Sequence, residues 1–178
     1  MLGKKGKARI ERTYVGDLHR HRMTDVQWIF LKLGYALLYL LAAVLYLIGT
    51  TQDIAPNYVW YVQVAQAVGI VSLFALLYCL VCYLTSHREL DNHSYNLNTV
   101  FFKSFCMITA VTTALAALLQ LPVLILNGEG FGSAKVVLAY LLPCIPPLLF
   151  LLLWTLEAKV IRYDKILGKD APYDSIRL

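Results

Sequence analysis

Residues 136–154 read VVLAYLLPCIPPLLFLLLW, an apolar run without a charge that contains Pro143, Pro146 and Pro147. A helix of about 20 apolar residues is long enough to cross the hydrocarbon core of a bilayer. Each proline lacks an amide donor and displaces the carbonyl one turn before it, so this helix must bend. Because lipid offers no donors, the displaced carbonyls need partners inside the protein. The run therefore predicts a kinked membrane helix against which other helices pack.

Three segments upstream share this apolar character, and the hydrophobic content of the chain, 59%, exceeds the roughly 45–50% of soluble domains. We predict an all-α fold: a polytopic membrane protein whose four transmembrane helices form an up-down bundle. The membrane domain covers residues 24–156, with spans at residues 28–50, 58–84, 99–126 and 136–156. Thr24 and Gln27 have the spacing of a capping box at the start of the first helix.

Residues 1–23 form a basic segment next to the membrane. The side chains expected to contact lipid headgroups are Lys4, Lys5, Lys7, Arg9, Arg12, Arg20 and Arg22. The net charge of +5 lies mainly beside the apolar runs, so the expected partner is the anionic lipid of the bilayer and not nucleic acid. The connection after the first span has no Lys or Arg, which by the positive-inside rule places both termini in the cytoplasm. We expect a multi-pass protein of the cell membrane.

The segment that follows the fourth span has apolar residues at helical spacing: Leu156, Val160, Tyr163 and Leu167. Charged residues, Glu157 among them, fall on the other faces. This pattern predicts that the fourth helix continues into the cytoplasm as an amphipathic extension to Gly168, so that residues 157–178 are extension and tail.

A polar layer is predicted in the outer third of the bundle. At 1.5 Å of rise per residue, several positions fall at a common depth of about 6–10 Å below the outer surface. They are Tyr46, Gln63, Gln66, Gln120, Ala139 and Leu142. Glutamine amides are suited to satisfy the carbonyls freed by the prolines. Either the layer fastens the helices together, or Gln66 and Gln120 line a small-solute pocket that opens by movement at a hinge of Pro143, Pro146 and Pro147.

The sequence contains no catalytic motif, and we predict no catalytic residue, cofactor or metal ligand. The most enzyme-like feature is a group of loop residues: His87, Asp91 and His93, with Asp17, His19 and His21. Their spacing matches no standard metal motif, so a solvated loop is the preferred interpretation. Tyr35, Tyr39 and Tyr46 lie on one side of the first helix, where we expect their hydroxyls to be satisfied across the bundle.

These observations lead to three functional hypotheses. The first is a non-enzymatic accessory or regulatory membrane subunit, since no Asp, Glu, Arg or His lies near the middle of a span. Such a subunit implies a protein partner or a homo-oligomer in the membrane. The second is a component of a small-solute transporter or channel that acts as an oligomer. The third is a membrane enzyme with a metal site at the cytoplasmic face.

Overall fold

The computed structural model describes residues 18–87, 89–127, 134–161 and 163–166. Four helical segments are long and apolar enough to span a membrane: Asp25–Thr50, Trp60–Thr85, Asn92–Val123 and Tyr140–Lys159. The prediction of a helical fold with four such helices is therefore confirmed. The predicted lipid contacts Lys4, Lys5, Lys7, Arg9 and Arg12, and the predicted tail from residue 167, lie outside the described residues.

The first two long helices are α1 (Asp25–Thr50) and α2 (Trp60–Thr85). The predicted capping box begins α1, because Gln27 N donates to Thr24 Oγ1 and Thr24 N donates to Gln27 Oε1. A 3₁₀ turn, Ala55–Tyr58, joins the helices and has Pro56 in its first turn. Since this turn occupies residues 55–58, α2 begins two residues later than the predicted span, at Trp60.

The third span is a continuous helical stretch. It begins with α3 (Asn92–Tyr95), passes through a π-helical turn at Asn96–Phe101 and continues as α4 (Phe102–Asn127). Asp91 caps its start by accepting a hydrogen bond from Ser94 N. The fourth span is α5 (Ala134–Thr155), which contains all three predicted hinge prolines and ends in a second π-helical turn at Leu156–Val160.

A three-stranded antiparallel sheet lies where α1 begins and where α2 and α5 end. Strand β1 (Leu18–His21) is central, between β2 (Glu89–Asp91) and β3 (Tyr163–Ile166). In the register, His19 lies opposite Leu90 on one side and Lys165 on the other. The sheet therefore joins segments from the beginning, the middle and the end of the described chain.

Strand β3 corrects the predicted helical extension from residue 157 to Gly168. The helix ends at Val160, and Ile161 adopts an extended conformation with φ −83° and ψ 126°. The residues that follow include Tyr163 and Ile166, which favour strands, and β1 offers them a pairing partner. Pairing with a distant strand thus overrides a local spacing that also fits a helix.

Within the bundle, α4 packs against α2 and α5, and α1 packs against α5. Small polar side chains fasten α2 to α4, because Thr109 Oγ1 donates to Ser72 O and the hydroxyls of Ser72 and Thr112 lie 2.9 Å apart. Glycine permits close approach elsewhere. The position of a Cβ on Gly69 would overlap the Tyr46 hydroxyl, and one on Gly49 would lie 2.8 Å from Pro143 Cγ.

The predicted tyrosine face of α1 is buried, and each of its hydroxyls donates to a different partner. Tyr39 donates to Leu73 O over 3.0 Å, and Tyr46 donates to Gln66 O over 3.2 Å. Tyr35 donates to the carboxylate of Glu157 over 3.0 Å. The expectation that these hydroxyls are satisfied across the bundle is confirmed, and the third bond leads to the polar cluster at the sheet end.

Candidate functional site

Glu157 is the most buried charged residue among the described ones, with 2% of its surface exposed. It lies in the π-helical turn at Leu156–Val160, directly after the apolar run of α5. A π-helical turn is wider than an α-helical one and is frequent at functional sites. The segment was predicted to be an amphipathic helix with Glu157 away from its apolar face, so the burial of this carboxylate is a correction.

Three tyrosine hydroxyls from three different elements donate to this carboxylate. Tyr35 of α1 and Tyr83 of α2 donate to Oε2 over 3.0 and 3.2 Å. Tyr163 of β3 donates to Oε1 over 2.9 Å. We call these four residues the Glu157 cluster. Through these three hydrogen bonds the cluster ties α1, α2 and β3 to the turn that follows α5.

Aromatic rings hold the tyrosines of this cluster in place. Phe102, at the start of α4, stacks on Tyr35 and on Tyr83 with ring centroids 5.6 and 5.3 Å apart. Trp28 packs against Tyr83 as well, with ring centroids 5.3 Å apart. Such contacts contribute about 0.5–1.5 kcal/mol each beyond area burial and leave the rings little freedom to turn. The hydroxyl groups are therefore preorganised around the carboxylate.

No basic side chain of the described residues forms an ion pair with Glu157. Other carboxylates at this end of the molecule do form ion pairs: Glu89 with Arg20, at 3.7 Å, and Asp164 with Arg22, at 2.6 Å. Lys103 lies close enough to interact electrostatically with the carboxylate without forming a salt bridge to it. A buried charge without a paired cation is costly, and phenolic donors offset only part of that cost.

A cavity of about 380 Å³ opens over the Glu157 cluster. Its walls carry both signs of charge and several hydroxyls, from Arg22, Tyr95, Thr99, Lys103, Glu157 and Tyr163. The volume is within the roughly 300–1,000 Å³ typical of small-molecule sites. Burial, and next the nearby Glu157 carboxylate, raise the pKa of Tyr163, so this hydroxyl stays protonated and donates.

A second polar cluster lies at the opposite end of α1 and is centred on Asn57, in the 3₁₀ turn. The side-chain amides of Gln66 and Gln120 both donate to Asn57 Oδ1, over 2.7 and 3.3 Å. Gln63 Nε2 donates to the backbone carbonyl of Asn57, and Asn57 Nδ2 donates to the carbonyls of Gly49 and Gln52. Together with Tyr46, whose hydroxyl donates to Gln66 O, these residues form the Asn57 cluster.

The structure thus brings together four residues of the predicted polar layer: Tyr46, Gln63, Gln66 and Gln120. The amides of the three glutamines donate to Asn57, whereas the prediction paired glutamine amides with carbonyls of Ala139 and Leu142. Leu142 lies in α5 with a half-buried side chain, and the side chain of Ala139 lies outside the described ones. Pro143 approaches the cluster through its contact with Gly49. Movement at the proline hinge stays a prediction.

The other predicted residues are placed as follows. Arg20 and Arg22 lie at the sheet, where each pairs with a carboxylate of the protein; their contact with lipid headgroups stays a prediction. His19 stacks on Tyr95 with centroids 3.9 Å apart, while His87 is exposed. Among the described residues, no group of three or more His, Cys, Asp or Glu is arranged to hold a metal ion.

Two central residues, Glu157 and Asn57, were missed from the sequence, although each carried a signal. Glu157 is the first charge after an uncharged run that is long enough to cross the membrane. Asn57 is the polar residue that follows Pro56 in a connection only a few residues long. A polar side chain so close to the end of a span has little room to reach solvent without meeting a neighbouring helix.

No protein-family model, curated protein or solved structure matches this chain. The function therefore has to follow from the geometry of the two polar clusters.

Proposed function

We propose that this protein is a multi-pass component of the cell membrane that acts as a non-enzymatic accessory or regulatory subunit. The observation that carries the proposal is the Glu157 cluster beneath its cavity. Tyrosines from α1, α2 and β3 meet there, and each donates a hydrogen bond to Glu157, which follows α5. A ligand or partner that engages this site would change the association of several elements at once, which suits regulation.

The proposed orientation is an up-down bundle with both termini, and hence the sheet, in the cytoplasm. Six basic residues of the described chain lie near the sheet: Arg20, Arg22, Lys32, Lys103, Lys159 and Lys165. Lys135 is the exception, because it is the second residue of α5, at the other end of the bundle. The connection at the opposite end, residues 51–59, carries Asp53 and no Lys or Arg. The positive-inside rule then favours a cytoplasmic sheet, next to anionic lipid.

Co-purification tests the accessory role. The full chain, expressed at low level in its own host membrane and extracted in a mild detergent, is expected to carry a membrane partner at fixed stoichiometry. Lys103→Glu reverses a charge on the wall of the Glu157 cavity and is expected to reduce recovery of the partner. Lys159→Glu makes the same change to an exposed lysine outside the cavity and serves as the control. Recovery of the chain alone, or only with copies of itself, contradicts the heteromeric role.

A second candidate function, a small-solute carrier or channel component working as an oligomer, is favoured by one atom of the Asn57 cluster. Gln120 is 1% exposed, and its Oε1 has no hydrogen-bond partner among the described residues. A buried polar atom in this state suits a water molecule or a small polar solute. Saturable solute flux into liposomes that contain only this protein supports this function if the flux is lost in Gln120→Leu. Unchanged flux in that variant shows that Gln120 is not part of a solute site.

A further inference from the structure

The Glu157 carboxylate has capacity for another hydrogen-bond donor. An ionised carboxylate offers about four acceptor positions, and the three tyrosine hydroxyls occupy two on Oε2 and one on Oε1. Tyr163 lines the cavity, whereas Tyr35 and Tyr83 lie beneath it within the helices. Oε1 is therefore the oxygen that accepts from a residue of the cavity wall, and it keeps one free acceptor position.

The same cavity presents donors to an anion. Lys103 lines it, and so does Arg22, whose Nε and Nη2 contact Asp164 while the remaining guanidinium N–H groups are left for other acceptors. The two positively charged side chains on the walls disfavour the binding of a metal cation, and the buried carboxylate disfavours the binding of a simple anion. A molecule with both signs of charge meets both requirements.

We infer that this cavity binds a zwitterion with a primary ammonium and a phosphate or carboxylate, the chemistry of a phosphoethanolamine headgroup. The ammonium donates to Glu157 Oε1, and the anionic group lies between Lys103 and Arg22. The inference deepens the proposed regulatory role by naming the ligand class, but binding itself requires no partner protein. A failure to bind this ligand and a failure to find a partner can therefore be told apart.

The position of the cavity suits a lipid as the source of this headgroup. Tyr95, Thr99 and Lys103 lie within the first twelve residues of the third span, and Glu157 lies two residues before the end of the fourth, so the cavity is at the sheet end of the membrane-length helices. Headgroups lie at this level of a bilayer. A quaternary ammonium lacks an N–H group and cannot donate to Oε1, which predicts discrimination between phosphatidylethanolamine and phosphatidylcholine.

The purified full chain is to be placed in nanodiscs of phosphatidylethanolamine with phosphatidylglycerol, or of phosphatidylcholine with phosphatidylglycerol, with identical acyl chains. Native mass spectrometry of the released protein counts retained lipid, and thermal unfolding reports its effect. We expect retention of phosphatidylethanolamine over phosphatidylcholine, weakened roughly 10–100-fold in Glu157→Gln, which loses a charge-assisted hydrogen bond. Glu89→Gln removes a carboxylate at the same end of the molecule and should leave retention unchanged.

A second pair of variants tests the anionic half of the ligand. Lys103→Gln is expected to weaken retention, whereas Lys159→Gln, a change to an exposed lysine outside the cavity, is not. This pair keeps the inference testable if Glu157→Gln does not fold. Equal retention of the two lipids by the wild type overturns the inference, and so does undiminished retention in a folded Glu157→Gln or Lys103→Gln protein.

Soluble phosphoethanolamine, titrated into the detergent-purified protein by calorimetry, distinguishes the two sources of the headgroup. Saturable binding that displaces the retained lipid shows that the cavity binds soluble phosphoethanolamine in addition to the lipid. Lipid retention without such binding assigns it to the lipid. Absence of both overturns the inference, even if a protein partner has been found.

Discussion

At the scale of single residues, tyrosine is the side chain that organises both halves of α1. An aromatic ring packs against apolar neighbours in the core while its hydroxyl reaches a polar partner, so one residue satisfies two requirements of a membrane interior. Tyr35 and Tyr83 use this property to hold a carboxylate that would otherwise be unpaired in the core. The strength of these bonds can be measured by removing one oxygen atom.

We expect Tyr83→Phe to lower the free energy of unfolding by about 1.5–3 kcal/mol, because it removes a hydrogen bond to a charged group without changing the ring. Tyr78→Phe is the matched control, since Tyr78 lies on the same helix with 64% of its surface exposed. Thermal and denaturant unfolding in one detergent gives the comparison. If both variants lose the same free energy of unfolding, the hydrogen bond from Tyr83 to Glu157 does not stabilise the fold.

The Asn57 cluster gives a second prediction at this scale. Replacing Gln66 by Leu removes the 2.7 Å bond to Asn57 Oδ1 and is expected to cost about 0.6–1.7 kcal/mol, the range for hydrogen bonds between membrane helices. Ala67→Leu adds the same side chain at the neighbouring exposed position and should be neutral. A Gln66→Leu protein as stable as the wild type would show that the cluster does not fasten the helices.

The sequence predicts the depth of Tyr46, Gln66 and Gln120, because a helix advances by a fixed rise per residue. It does not predict Asn57 as the common acceptor of the two glutamine amides, since this depends on how a 3₁₀ turn folds back over α1. Glu157 was missed for a related reason. Its partners Tyr35 and Tyr83 are far away in sequence, and helical spacing says nothing about contacts between distant elements.

At the scale of elements, the contacts of α1 with α2 and α5 depend on the absence of a side chain at two positions. Gly69 accommodates the Tyr46 hydroxyl, and Gly49 accommodates the ring of Pro143. A third glycine, Gly34 of α1, has no atom of another residue near the place where a Cβ would lie. The three positions therefore separate the effect of packing from that of helix propensity.

Gly69→Ala is expected to lower the free energy of unfolding by about 1–3 kcal/mol, the usual cost of overpacking a core. Gly34→Ala should raise it by up to about 1 kcal/mol, since alanine favours the helix and meets no neighbour. Unfolding midpoints of both variants in the same detergent provide the measurement. If Gly69→Ala were as stable as Gly34→Ala, α1 and α2 would not approach as closely as described.

The pairing of β1 with β3 depends partly on pH. The hydrogen bond from Arg22, and then its positive charge, lower the pKa of Asp164 below its ordinary value of 3.8. A carboxyl group with a lowered pKa in the folded state stabilises that state above the unfolded pKa, and the contribution is lost as pH falls through the folded value. Because Asp164 is exposed, the effect is small.

Asp164→Asn should therefore be slightly less stable than the wild type at neutral pH. The difference should shrink to nothing in acid, once the wild-type carboxyl is protonated as well. Thermal unfolding of both proteins over a pH series measures it. A difference that persists unchanged in strong acid would assign the effect of the substitution to something other than the ion pair.

At the scale of the whole molecule, the sheet brings the start of α1 to the same place as the ends of α2 and α5. With a cytoplasmic sheet, the connection between α1 and α2 faces the exterior. Each side of the proposed topology offers exposed positions for a chemical probe: Asp53 in that connection, and His87 and Lys165 near the sheet.

Single cysteines at these positions, in a background without the native cysteines, test the orientation in intact cells. We expect an impermeant maleimide to label Asp53→Cys directly, and His87→Cys and Lys165→Cys only after the membrane is permeabilised. Labelling of the denatured proteins controls for intrinsic reactivity. The reverse pattern would place both termini outside the cell and would move the Glu157 cavity to the exterior.

The central position of β1 has a consequence for biosynthesis. β1 is translated before all four long helices and β3 after them, and the Arg22–Asp164 bond joins residues 142 apart in sequence. During synthesis β1 can pair early with β2, while its other edge stays open until β3 leaves the ribosome. Tyr163 reaches Glu157 only at that stage. A nascent chain thus displays an unpaired strand edge and an incompletely bonded carboxylate until β3 has been synthesised.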